Sequence, residues 1–173
     1  MSVKYWLCDF EAYQFDATYF PVEISLLNLN SEKCATFYIG WRHLSFTVYS
    51  SKTFAHQYNR HGLCWDAGRL TLIKAIKAIQ KRVKASDVVF VKGEQKAKWV
   101  MQWLKAGQII DLVGDDVFSF NNNKLTEHQT EQKCEFHAMN PNYKFCTRQK
   151  CFMLLSCAKT HCVILEKMRT LSV

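Results

Sequence analysis

Apolar residues recur along this chain with two different periods. Tyr5 to Phe10, Val22 to Asn28 and Ala35 to Trp41 are short runs rich in aromatic, β-branched and leucine side chains, and each predicts a strand. The turn-rich stretch Asn28 to Lys33 joins the last two as a hairpin, so the three form an antiparallel meander. From Arg69 to Lys84 the period becomes helical. Leu72, Ile73, Ile76, Ile79 and Val83 recur at three- and four-residue steps and predict one buried stripe. Val88-Val89-Phe90-Val91, opened by Asp87, is a continuous apolar run of the kind a sheet buries on both faces. Lys92-Gly93-Glu94 turns the chain into a second helix, Gln95 to Lys105, with Ala97, Val100 and Leu104 inward and Trp99 and Trp103 packed in the core. Ile109 to Leu112 predicts a fifth strand, Thr53 to Asn59 a short helix, and Arg148 to Cys157 a last helix. Val113 to Lys133 is polar and reads as an irregular loop, and residues 158–173 as a basic tail. A meander followed by strand, helix and strand is the order of an α/β domain with a mixed sheet and helices on its faces.

Length and composition narrow this little. A chain of 173 residues, 49% hydrophobic with 6 glycines and 2 prolines, is expected to fold as one domain over residues 1–173. No run approaches the apolar length of a membrane span, and Met1 to Phe10 lacks the core of a signal peptide. The expected location is cytoplasmic or nuclear, where the 8 cysteines act as buried small hydrophobes or metal ligands rather than in disulfides. Charge changes the picture more. With 23 basic against 15 acidic residues the chain carries +8 and a pI of about 9.1, which suits a nucleic-acid partner better than any other class; the alternative is a merely basic soluble protein. Lys74, Lys77, Lys81 and Lys84 share one face of the predicted helix and form a candidate phosphate track, with Lys92 and Lys96 as further candidates; the bland alternative is a solvated face.

The chemistry concentrates near the end. Cys134 and His137 are separated by two residues, and His137 and Cys146 by eight. Thiolates and a neutral imidazole are zinc ligands, and the first spacing lets two of them grip one ion from a single turn. A fourth ligand is needed, and Glu94, Cys151, Cys157, His161 and Cys162 are candidates; the alternative is three reduced side chains on a loop with no metal. Asp9 and Glu11, two apart on the first strand, place both carboxylates on one side of it. His43, His56 and His61 read as structural.

A Glu after the central strand followed by Cys-x2-His-x8-Cys resembles the Glu-Cys-His-Cys set of the Maelstrom domain. The resemblance implies a ribonuclease H-like fold derived from DnaQ-type exonucleases. It also implies a structural Zn²⁺ held by Glu94, Cys134, His137 and Cys146. The expected partners are single-stranded RNA and proteins of a small-RNA silencing pathway that acts on transposons. Maelstrom proteins commonly carry an HMG box ahead of this domain. None is read in these residues, which admits a fragment, a divergent relative, or a viral or transposon-derived copy. The Asp9-x-Glu11 pair resembles the first motif of DEDD-type exonucleases, which hold two Mg²⁺ between four carboxylates. The position matching the second motif's Asp is Lys96, three residues before Trp99, and the third falls at Lys150 or Cys151. Lysine cannot ligate Mg²⁺, so any ribonuclease activity is expected to run without the two-metal mechanism. The alternatives are a metal-dependent 3′–5′ exonuclease with rearranged carboxylates, and a catalytically dead protein-interaction scaffold.

Overall fold

The computed structural model describes residues 3–15, 18–42, 51–112, 132–140, 142–143 and 145–161. The polar loop expected after Leu112 and most of the basic tail lie outside these residues. So do His43 and Cys162, and the side chains of Cys157 and His161.

The meander forms as the hydrophobic pattern requires. Strand β1 (Tyr5–Phe15) pairs antiparallel with β2 (Thr18–Asn28), and β2 pairs antiparallel with β3 (Cys34–Tyr38). Helix α1 (Ser51–His61) and helix α2 (Leu72–Gln80) follow, then β4 (Val88–Val91), α3 (Glu94–Trp103) and β5 (Gln108–Asp111). Strand β4 lies parallel to both β1 and β5, giving a mixed sheet of order β3-β2-β1-β4-β5, the topology of a ribonuclease H-like α/β fold. A short helix α4 (Glu135–Met139) and a long one, α5 (Thr147–His161), complete the described elements.

Strand periodicity divides β1 between two cores. Trp6, Cys8 and Phe10 face the layer made by α2 and α3, where Ala75, Ile79, Val100 and Trp103 are buried. Tyr5 and Leu7 face the other side and meet Cys151, Leu154 and Leu155 of α5. Continuing that alternation, Asp9 and Glu11 also belong to the α5 side, as do their cross-strand partners Ser25 and Glu23 on β2. Register slips once, between Glu11 and Ala12, leaving Val22 as the extra residue of β2. The slip falls beside Pro21, which has no N–H to give to a ladder.

Two expectations are corrected. Ile73 was expected in the buried stripe of α2 but is 66% exposed, and Ala75 holds the inward position instead. The helix begins at Leu72, one turn later than expected, because Thr71 caps it by accepting the N–H of Lys74. It ends at Gln80 rather than Lys84. Buried Asp87 accepts the N–H groups of Lys84 and Lys4 and the indole N–H of Trp6, closing the turn and tying it to β1. Trp99 and Trp103 pack against each other and against Phe10, as expected of core residues.

Candidate metal centre

Four ligand-type side chains converge between β2 and the two last helices: Glu23, Cys134, His137 and Cys146. Their ligand atoms all lie within 4.8 Å of one another, and none of the four residues is more than 3% exposed. Cys134 stands at the N-cap of α4 and His137 one turn later, so a single turn presents both. Cys146 directly precedes α5. Glu23 points from β2 into the same space. Its Oε1 accepts from Cys134 Sγ at 3.0 Å and lies 3.5 Å from His137 Nδ1, while its Oε2 accepts the first N–H of α5, from Thr147, at 3.0 Å.

The imidazole is oriented from behind. His137 Nε2 donates to the carbonyl of His61 at 2.8 Å, which turns Nδ1 toward Cys134 Sγ, 2.9 Å away. Metal-bound histidines are typically fixed in this way, by giving the other ring N–H to a carbonyl. The His61 carbonyl is delivered by the end of α1, where Gly62 at φ 68° reverses the chain. Any Cβ at Gly62 would also lie 2.2 Å from the Tyr143 ring, so the position admits only glycine.

The set could hold a cation. Burial opposes charge on Glu23, yet its bonds to His137 and Cys134 hold its carboxyl below the usual range. Burial would lower His137, but Cys134 and Glu23 outweigh it and raise the ring to about 10. The Cys146 thiol is pulled down by its contact with Cys134, which also donates its backbone N–H to that sulfur at 3.3 Å, and the Cys134 thiol is pushed up. A tetrahedral zinc, with bonds of about 2.0–2.3 Å, needs ligand atoms roughly 3.3–3.8 Å apart, so slight outward relaxation of this cluster fits one ion. Two thiolates and an imidazole are also the donor softness that zinc favours. All four positions are protein atoms, so an ion held by them would have no open coordination position.

The expected fourth ligand was Glu94, and the structure places it elsewhere. Its side chain is 75% exposed at the start of α3, where it pairs with Lys98 at 2.6 Å. The carboxylate with the other three is Glu23. A sequence signal for it existed: a lone Glu between Val22 and Ile24 in the middle strand of the meander. Cys151, another candidate, is buried in the α5 core, its thiol near the carbonyls of Leu7 and Ser25.

Beside this cluster sits the carboxylate pair. Glu11 and Glu23 are directly opposed on neighbouring strands, a placement that repels unless each charge has its own counterion. Lys150, one turn into α5, pairs with Glu11 and lies 3.8 Å from Asp9 Oδ2. Lys96 of α3 pairs with Asp9 and donates to the carbonyl of Phe10 at 2.7 Å. Burial alone would raise Glu11, but Lys150 and then Lys96 outweigh it and hold the carboxyl down at about 2. The two lysines at the positions matching the missing carboxylates thus neutralise the two carboxylates that are present.

The candidate phosphate track is exposed throughout: Lys74, Lys77, Lys81 and Lys84 all face solvent, the last two beyond the end of α2. Lys92 is half-buried, and Lys96 turns inward to Asp9. Among the described residues no helix is long and apolar enough to cross a membrane. The chain matches no protein-family model, and no curated protein is similar to it in sequence.

Proposed function

We propose that this domain is a zinc-stapled, ribonuclease H-like module that binds single-stranded RNA without two-metal cleavage chemistry, similar in kind to the Maelstrom domain and to its role in small-RNA silencing. The observation that carries the reading is the pairing of Lys96 and Lys150 with Asp9 and Glu11. Two ammonium groups stand where a two-metal site would need carboxylates, and a Mg²⁺ ion would have to displace them. Glu23, Cys134, His137 and Cys146 would hold the zinc, whose contribution is to neutralise buried charge and cross-link β2 to α4 and α5. Because the Lys150 N–H bonds to the carbonyl of Cys146 at 3.0 Å, that cross-link also sets the place of Lys150 over Glu11.

Two measurements test the reading. Any ribonuclease activity of the purified protein should survive Asp9→Ala and chelation of Mg²⁺; activity that needs Mg²⁺ and collapses in Asp9→Ala favours a rearranged exonuclease. For binding, replacing Lys74, Lys77, Lys81 and Lys84 with Gln should leave the fold intact, since all four are exposed. The salt slope of RNA affinity should fall by about 0.7 for each phosphate that loses its lysine, or about 3 for all four, with little change in sequence preference. Unchanged affinity in the folded quadruple variant would remove the stripe from the interface, and wild-type protein that binds no RNA would favour a protein-interaction scaffold.

A further inference from the structure

A pocket of about 250 Å³ opens beside the ion-paired carboxylates, lined among others by Glu11, Arg60, His61, Lys96 and Lys150. Its chemistry is unbalanced in one direction. Asp9 and Glu11 supply two negative charges to this corner, while Lys96, Lys150 and Arg60 supply three positive ones. Each ammonium has three N–H groups. Lys96 gives two of them to Asp9 and the Phe10 carbonyl, which leaves one donor on a side chain that is 27% exposed. Arg60 stands with its guanidinium 4.4 Å from the centre of the Phe145 ring, over which Lys150 also lies at 5.1 Å, so one aromatic face holds both cations in place.

The second observation is an orphan donor. His61 is 1% exposed, and its Nδ1 accepts the N–H of Leu63 at 3.1 Å, which leaves the ring proton of the neutral imidazole on Nε2. That Nε2 has no hydrogen-bond partner among the described residues. A buried N–H without an acceptor is costly, and His61 lines the pocket, so an anion there would offer its Nε2–H a partner. A second cation is repelled by the ammonium groups, and an apolar ligand would bury charge without pairing it. The donors come from three separate elements, α1, α3 and α5. That arrangement suits a tetrahedral anion with several acceptor oxygens better than a planar carboxylate.

We propose that this pocket is a phosphate-binding subsite, taking one phosphate group of an RNA strand through Arg60, the remaining lysine donors and the His61 Nε2–H. It rests on the RNA-binding reading for the source of the phosphate, and on the pocket alone for the chemistry. The site differs from the lysine track on α2, none of whose lysines lines it.

The test uses the zinc-loaded full chain with inorganic phosphate, acetate, and a single-stranded RNA of about ten nucleotides, within the range of single-strand site sizes. Phosphate should bind and shift the His61 Nε2–H resonance, acetate should do neither, and phosphate should compete with the RNA. Arg60→Gln, an exposed position whose loss leaves zinc content unchanged, should weaken both phosphate and RNA about tenfold. Phosphate binding with no RNA binding by the wild type would sustain the subsite with free phosphate as its ligand and would sink the RNA reading. RNA binding that is indifferent to phosphate and to Arg60→Gln would overturn the subsite and leave the RNA reading standing. A His61 resonance that responds to acetate and phosphate alike would also overturn it.

Discussion

Glu23→Gln should strip the metal from the purified protein, while Glu94→Gln should leave it bound. Glu23 offers one oxygen to the cluster and gives the other to the Thr147 N–H, so the amide can keep the second bond and lose only the first. What remains is two cysteines and a histidine, buried together, with three ligands for a four-coordinate ion. A structural zinc site does not exist in the unfolded chain, so its binding energy is folding energy. Domains are stable by only about 5–15 kcal/mol in total, so removal of a ligand should lower the denaturation midpoint steeply or leave the chain unfolded. Cys146→Ser and His137→Ala should behave alike. Glu94, exposed and paired with Lys98 on its own helix, should leave stability essentially unchanged when replaced. Metal analysis with urea denaturation of the variants checks both arms, and equal metal content in Glu23→Gln and wild type would contradict the assignment.

The second large effect belongs to Lys150. Lys150→Met leaves Glu11, 8% exposed, without its main counterion, and an uncompensated buried charge costs about 3–5 kcal/mol. Lys150→Met combined with Glu11→Gln should recover most of that stability, because the charge is removed with its partner. The same pair makes stability pH-dependent. Glu11 is held at about 2 against an ordinary value of 4.5, so its stabilisation is present above about pH 4.5 and is lost as pH falls toward 2. Lys150 is raised above its ordinary 10.5, so its share is full below that pH and is lost only as pH rises through the raised value. The metal centre also loosens in acid as its ligands protonate. The difference between wild type and Glu11→Gln isolates the carboxylate: wild type should lose stability faster as pH falls from about 5 to about 3. Parallel pH profiles would mean that Lys150 and Glu11 do not pair in solution.

What was legible in the sequence follows from the range over which its signals act. The continuous run Val88 to Val91 and the three apolar runs of the meander were legible as strands, because a buried strand carries its signal within its own few residues. The spacing of Cys134 and His137 pointed to two members of the cluster because one helical turn brings them together locally. Glu23 was missed because its partnership runs through the tertiary fold: it is 111 residues from Cys134 and meets it only through the sheet register. The resemblance to the DEDD pattern placed Lys96, and Lys150 or Cys151, at the two further motif positions, but the direct pairing of the lysines with Asp9 and Glu11 needed the positions of α3 and α5. The role of His61 was invisible, since its contribution to the metal centre is a backbone carbonyl, which every residue has. The boundary of α2 erred for a related reason: helical spacing continued past Gln80, but buried Asp87 captured the next turn.

The central claim is that one zinc ion ties β2 to the start of α5 through Glu23, Cys134, His137 and Cys146. X-ray absorption at the zinc edge, on protein purified without chelator, tests it most directly. The expected spectrum is about one zinc per chain with two sulfur neighbours near about 2.3 Å and two nitrogen or oxygen neighbours near about 2.0–2.1 Å, one of them showing the outer-shell scattering of an imidazole. In Glu23→Gln the oxygen neighbour, or the zinc itself, should be lost. Protein free of stoichiometric zinc, or a zinc shell with three or four sulfurs, would contradict the account.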